Sequence, residues 1–343
     1  MKLHELYAGI EFRLDRLDFD SLWKGFGRAK FALYDDERCF FDGRYIDKPA
    51  GFAGNTAIRF NGEYVAIWHI DDAPQDMDGL AAAIVHEMFH AFQMESGESR
   101  WADELAALFD YRYLPRNISI KLHEAALMRD IIISGKGAAT GELLALRKAR
   151  ALLYPYEYDY EARIEQIEGC ASCVEATALS QLNAQKGALL WQSMLDSMGD
   201  VRAYAPVRRV SYCTGAAFLR CMSEYTDMDC CEFGSVPLAQ RSIAQAPRME
   251  RLPVLEPAAA ERAAEYTAET ASMVEAALSR GDVVLRGEHE LISLNVYDAR
   301  WDGRHAVSHS FVAYLDGEES KVLRGDFVLE LGRDRVMRTV YRM

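Results

Sequence analysis

Two histidines and a glutamate set into an apolar stretch are the residues here best suited to chemistry. The stretch reads Ala81-Ala82-Ala83-Ile84-Val85-His86-Glu87-Met88-Phe89-His90-Ala91-Phe92-Gln93 and holds neither Pro nor Gly. Its composition predicts a buried helix, apolar nearly all round, with His86, Glu87, His90 and Gln93 as the exceptions. At about 3.6 residues per turn His86 and His90 stand one above the other, Gln93 continues their stripe, and Glu87 lies about 100° round. Imidazoles and a carboxylate in such a helix are unfavourable unless something satisfies them. A zinc ion does so. Neutral imidazoles at i and i+4 chelate it, and the adjacent carboxylate is placed to take a proton from metal-bound water. The plainer alternative is a pair of core histidines satisfied by backbone or carboxylate groups.

A catalytic zinc keeps three protein ligands and an open position for water. The residues after His90, Ala91-Phe92-Gln93-Met94-Glu95-Ser96, supply no third His, so a carboxylate from a later helix is required. One candidate region is Ile164-Glu165-Gln166-Ile167-Glu168-Gly169-Cys170-Ala171-Ser172-Cys173-Val174-Glu175. Its apolar face is Tyr160, Ile164, Ile167, Ala171, Val174 and Ala178, and its acidic face is Glu161, Glu165, Glu168 and Glu175. Gly169 in mid-helix costs about 1 kcal/mol relative to Ala. It is tolerable where two backbones approach closely, as packing against the histidine helix would require. Glu104, in Trp101-Ala102-Asp103-Glu104-Leu105, is the rival ligand, much nearer to His90 in sequence. Glu175 faces the same way as Glu168 about 10 Å further along the axis, so the two cannot share one ion. A carboxylate that is not the ligand reads as a partner of a ligating imidazole or as a solvated group.

His-Glu-x-x-His followed by Glu-Gly-x-Ala-x-x-x-Glu resembles the gluzincin branch of zinc metallopeptidases, the thermolysin-like and aminopeptidase-like group. The resemblance implies Zn²⁺ held by His86, His90 and Glu168, Glu87 as general base, and a peptide or protein substrate. It also implies a zincin-like α+β core: a small antiparallel sheet, the histidine helix, a helical lobe and a trailing β-rich unit. Ser211-Tyr212-Cys213-Thr214-Gly215-Ala216-Ala217 is similar to the Tyr-x-x-Gly-Ala segments of this group, which makes Tyr212 a candidate catalytic donor to the oxyanion. Read from its surroundings alone, Tyr212 is equally an ordinary core or helix-entry Tyr, and His309 is the next donor to consider. The group usually carries an aromatic where this chain has Cys173. The separation between His90 and Glu168 is longer than usual and makes the helices over 101–153 an insertion. The resemblance spans about residues 57–225. An inactive zinc-binding regulatory or scaffold protein is the alternative function, although such a protein would often lose Glu87 first. A metal-free helical adaptor is a third.

The elements that must position these groups follow from pattern. Residues 1–24 read as short helical pieces, and 30–34 and 38–41 as strands. Ala57–Phe60 and Tyr64–Trp68 flank Asn61-Gly62, a strong hairpin signal because both turn residues need positive φ. The linker Asp71-Asp72-Ala73-Pro74 then enters the histidine helix. Helices are expected over 101–113, 117–134, 140–153 and 159–184, with breaks near Pro115, Gly135-Lys136-Gly137 and Pro155. Further helices are expected over 187–197, 212–225 and 258–279, with a Pro-rich connector over 233–257. The tail, 282–343, returns to period two, with strands at 291–296, 311–314 and 327–331 and turns at Asp302-Gly303 and Asp316-Gly317. This divides the chain into 1–78, a β-containing unit; 79–257, a helical metal-binding unit; and 258–343, a helix with a small β unit.

Composition narrows the classes. The chain has 343 residues, 50% of them hydrophobic, enough for a sizeable core. Its net charge of −14 and the lack of a basic stripe argue against nucleic acid. Arg147-Lys148-Ala149-Arg150 reads as a solvated helix face. No apolar run is long enough to span a membrane, and the N-terminus lacks the apolar core of a signal peptide, so a cytoplasmic protein is expected. Seven cysteines, an odd number, then read as reduced thiols. Cys170-x-x-Cys173 lies in a helical pattern without a second such pair, and Cys230-Cys231 reads as inert. His305 and His309 read as surface or core residues of a strand.

Overall fold

The computed structural model describes residues 2–71, 76–135 and 137–343. The expected linker residues 72–74 and Lys136 of the expected Gly-Lys-Gly break lie outside the described residues. Helices α1 (Leu3–Leu14) and α2 (Phe19–Leu22) precede strands β1 (Lys30–Tyr34), β2 (Arg38–Phe41), β3 (Arg44–Asp47), β4 (Thr56–Phe60) and β5 (Glu63–His69). The histidine helix α3 (Met77–Glu95) follows, then α4 (Glu104–Asp110), α5 (Pro115–Ser134), α6 (Thr140–Leu153) and α7 (Pro155–Ile164). A π-helical turn at Glu165–Gly169 joins α7 to α8 (Cys170–Leu182). After it come α9 (Ala184–Ser197), α10 (Arg208–Tyr225), α11 (Leu238–Ser242) and α12 (Pro257–Arg280). The tail holds β6 (Val283–Leu294), β7 (Arg300–Trp301), β8 (His305–Ser308), β9 (Phe311–Asp316), β10 (Glu319–Arg324), β11 (Phe327–Leu331) and β12 (Val336–Arg342). The class is α+β, with two sheets.

Asn61 and Gly62 take φ of 52° and 91° and close the β4–β5 hairpin as their types predict. The first sheet has the order β3-β2-β1-β5-β4 and is mixed, not wholly antiparallel as expected. The chain reverses at each turn, so β5 runs in the direction of β1. It docks at the open edge of β1 and makes a parallel pair. Val65, Ala66 and Ile67 of β5 are all buried, as an interior strand covered on both faces requires. Phe31, Leu33 and Ala66 face the helical core, while Ala32, Tyr34, Val65 and Ile67 pack with Phe52 on the other side.

Helix α3 starts where the Asp76 carboxylate accepts from the backbone N–H groups of Asp78 and Gly79. It lies against β4, β5, α1 and α8. Leu80, Ala81, Ile84, Val85, Met88 and Phe89 fill the core, and Trp23 and Phe26 meet the Phe89 ring edge-on with centroids 5.0 and 5.3 Å away.

The region expected as one helix over 159–184 is helical as far as Leu182, where Asn183 is extended and separates α8 from α9, and it is broken in register by the π turn. Gly169 does open a close approach, yet the partner is α10 and not the histidine helix. A Cβ on Gly169 would stand 2.5 Å from the Gly215 Cα, and one on Gly215 would stand 2.6 Å from the Glu165 carbonyl oxygen. The two glycines let the π turn and α10 meet backbone to backbone. Helix propensity alone predicts that Gly215→Ala stabilises by about 1 kcal/mol. The contact predicts the opposite sign, a loss of about 1–3 kcal/mol from overpacking. A lower denaturation midpoint at unchanged m-value is the expected result, and a raised midpoint would refute it.

Arg147 and Arg150 correct the expectation of a solvated helix face over 147–150. Arg147, Arg150, Glu161 and Glu165 are all buried, because Arg147 pairs with Glu165 and Arg150 pairs with Glu161 and Glu124.

The tail forms a seven-stranded antiparallel sheet in the order β10-β9-β6-β12-β11-β8-β7. Helix α12 covers one face through Val274 and Ala277 on Val307 and Val328. The other face, with Leu291, Val312, Leu329 and Met337, receives Leu105, Leu108 and Phe109 from α4. The tail is thus seated on the helix that begins with Glu104. Among the described residues no helix is long and apolar enough to cross a membrane.

Candidate metal centre

Successive turns of α3 stand His86 and His90 together, with ring centroids 4.8 Å apart. Each ring is held from behind at Nδ1. His86 Nδ1 lies 3.0 Å from Glu175 Oε2, and His90 Nδ1 lies 2.8 Å from Gln93 Oε1. Gln93 is fixed in turn, its Nε2 donating to the Ile167 carbonyl at 3.2 Å. A carboxylate and an amide oxygen only accept, so both Nδ1 atoms carry a proton and leave Nε2 as the atom each ring can offer to an ion. The two Nε2 atoms face Glu168 Oε2, at 3.6 Å from His86 and 3.3 Å from His90.

His86, His90 and Glu168 form a group whose ligand atoms all lie within 4.8 Å of one another. Bonds of about 2.0–2.1 Å to a tetrahedral ion place two ligand atoms about 3.3 Å apart. The two distances to Glu168 Oε2 are close to that spacing, so the group could hold a single divalent ion, and two imidazoles with one carboxylate suit a transition metal better than calcium or magnesium. Glu168 reaches this position from the π turn, a feature that recurs at functional sites.

Charges in the group are strongly coupled. Burial alone would raise the Glu168 carboxyl, but His86, His90 and Arg208 outweigh it and hold it well below the ordinary carboxylate range. Burial would lower the His86 imidazole, but Glu168 and Glu175 outweigh it and hold it well above its ordinary value. A proton therefore competes with any ion for this ring. Glu87, next to His86 on α3, has no hydrogen-bond or ion-pair partner among the described residues. Burial pushes its carboxyl up against the pull of His86 and His90.

The three carboxylates left open by the sequence take three different places. Glu168 lies beside both imidazoles, and Glu175 stands behind His86. Glu104 is not part of the group and is held by Arg208 and by the Tyr160 hydroxyl, which donates to Oε2 at 2.8 Å. Arg208 also donates from its other terminal nitrogen to Glu168 Oε1 at 2.9 Å. Tyr212 lies one turn after Arg208 on α10, its ring centroid 5.6 Å from the guanidinium carbon. Its hydroxyl donates to the Tyr297 hydroxyl at 3.5 Å, so a loop of the tail borders the group. Burial and then the Glu168 charge push the Tyr212 phenol up, which keeps it a neutral donor.

Other candidates lie apart. His309 pairs with Asp326 at 3.3 Å and His305 with Asp302 at 3.1 Å, both within the tail. Cys170 and Cys173 sit on α8, where burial pushes both thiols up, Cys173 to about 12. Neither joins a metal-binding group among the described residues. Arg208, Tyr160 and Tyr297 are contacts that the sequence did not disclose. The only available signal was the i, i+4 spacing of Arg208 and Tyr212. Comparisons of the chain with protein families, with curated proteins and with solved structures find no match.

Proposed function

We propose that the chain is a zinc-dependent peptide hydrolase on a zincin-like core. His86, His90 and Glu168 hold the ion, Glu87 is the general base and Tyr212 the oxyanion donor. The observation that carries this is the convergence of two Nε2 atoms and one carboxylate oxygen at metal-ligand spacing, with each Nδ1 already engaged from behind. Bound zinc supplies a Lewis acid and lowers the pKa of water toward neutrality. The chain's own residues do the rest. Glu175 and Gln93 fix the ring orientations. Glu87, without another partner among the described residues, accepts the proton of the attacking water and returns it to the leaving amine. Tyr212 donates to the oxygen on which charge builds. Strand β4 is one of the two edge strands of the first sheet and lies against α3, where an extended substrate backbone can pair with it.

Metal analysis is the direct test. About one zinc per chain is expected, lost in His86→Ala and in His90→Ala. Glu168→Ala should weaken zinc far more than Glu104→Ala, since loss of a supporting residue costs only about 10–100-fold. Affinities in the opposite order would give the ligand role to Glu104. Because the raised His86 must lose its proton to bind, zinc affinity should fall as the pH is lowered and rise as it is increased. Zinc uptake with no hydrolysis across a peptide library would leave a metal-binding protein without turnover.

A further inference from the structure

We infer that Arg208 is the residue that keeps Glu168 a one-oxygen ligand, with Glu104 and Tyr160 as its buttress. This rests on the proposed metal site and names a control that the ligand set alone does not contain. A carboxylate can give a metal either one oxygen or two. Here one oxygen of Glu168 faces both imidazoles, and the other accepts from Arg208 at 2.9 Å. A charge-assisted bond to a guanidinium occupies that second oxygen with a fixed direction. It is thereby withheld from the ion, and the position it would have filled stays open for water or a carbonyl.

The clamp is itself clamped. Arg208 is only 8% exposed, and its other terminal nitrogen pairs with Glu104, whose second oxygen accepts from Tyr160 at 2.8 Å. Tyr212 and Tyr297 lie along the guanidinium, with centroids 5.6 and 5.4 Å from its central carbon. Its Nε has no hydrogen-bond partner among the described residues, so the two carboxylate contacts carry the orientation. Helix α10 cannot retreat without undoing the Gly169–Gly215 contact, so Arg208 and the π turn that carries Glu168 move as one body. Arg208 is therefore a positioning residue. A lysine there could keep the charge but would end in a single nitrogen, without the rigid planar fork that meets Glu104 and Glu168 from separate nitrogens.

The test uses the full chain loaded with Co²⁺, whose visible absorption reports coordination number. Arg208→Lys retains a cation between Glu104 and Glu168, and the double variant Arg208→Met/Glu104→Gln removes the cation and its buttress together, so neither leaves a lone buried charge. In both, Glu168 is expected to turn its second oxygen onto the metal. Cobalt should still bind, its absorption should fall severalfold as a fifth ligand enters, and kcat should fall about 10–100-fold with KM nearly unchanged. Glu104→Gln alone should move the spectrum in the same direction by less. A wild-type spectrum in Arg208→Lys and in the double variant would overturn the inference and leave the metal site standing. A wild-type chain that takes up no cobalt would overturn the metal site and the inference with it.

Discussion

Glu87→Gln should keep its zinc and lose turnover by about 10²–10⁴-fold. The amide has the same shape as the carboxylate and cannot accept a proton. Glu87 is one residue from His86 but turned about 100° away, so it is not part of the group formed by His86, His90 and Glu168. Its removal as a base should leave the ligand set intact. Stability should hold or rise slightly, since burial already disfavours the charged form and no partner is left unpaired. The loss should appear in kcat with little change in KM, because the proton moves only on the way to the transition state. Wild-type turnover in the Gln variant, with zinc bound, would refute the assignment. Loss of zinc together with turnover would place Glu87 among the ligands instead.

The sequence carried the histidine helix because its information is local: an apolar window without breakers, and two imidazoles four apart. The Asn61-Gly62 hairpin was legible for the same reason, since only a few residue types accept positive φ at both turn positions. Contacts between distant elements were less legible. Nothing in Glu165-Gln166-Ile167-Glu168-Gly169 distinguishes a π turn from an α turn, and the close partner of Gly169 is a second glycine 46 residues on, at 215. Arg208 falls just outside the helix expected over 212–225, and nothing in its surroundings beyond the spacing to Tyr212 marks it. Its role depends on Glu104 and Glu168 arriving from two other helices. Arg147 and Arg150 were misread as solvated because a charged residue is usually exposed. Their burial depends on carboxylates from α5, α7 and the π turn, which no window of sequence displays together. The parallel β1–β5 pair was missed on similar grounds, since the hairpin fixes β5 against β4 and says nothing about which strand lies on its other side.

Those buried arginines set the second large effect, on stability. Arg150→Met should cost about 3–5 kcal/mol, the usual result of removing one partner from a buried ion pair. Lys121, Arg147 and Arg150 face Glu124, Glu161 and Glu165 inside the helical lobe, three cations against three anions. All six are buried. Guanidinium N–H groups that lack an oxygen partner are partly compensated by rings: Arg147 lies 4.0 Å from the Phe218 centroid and Arg150 4.9 Å from that of Tyr158. The anions differ in how much they depend on Arg150. Glu161 keeps Lys121 at 2.7 Å and the Tyr111 hydroxyl at 2.6 Å, whereas Glu124 has Arg150 as its ion-pair partner, at 2.7 Å. The Met variant therefore strands Glu124. Adding Glu124→Gln should recover part of the loss, and the difference between the double variant and the sum of the singles measures the pair. Simple additivity would mean that the two side chains do not support each other. The network also fixes a direction in pH. Burial would raise Glu161, but Arg150 and Lys121 outweigh it and hold it near about 2, below its ordinary 4.5. Its contribution should be fully present above about pH 4.5 and be lost as pH falls toward 2. Glu165 hangs on the same network through Arg147 and accepts from Thr214 at 2.7 Å, one turn before Glu168. Loosening the network should therefore weaken zinc before the chain unfolds, and zinc affinity measured in Arg147→Met at a temperature where the helical signal is intact will show whether it does.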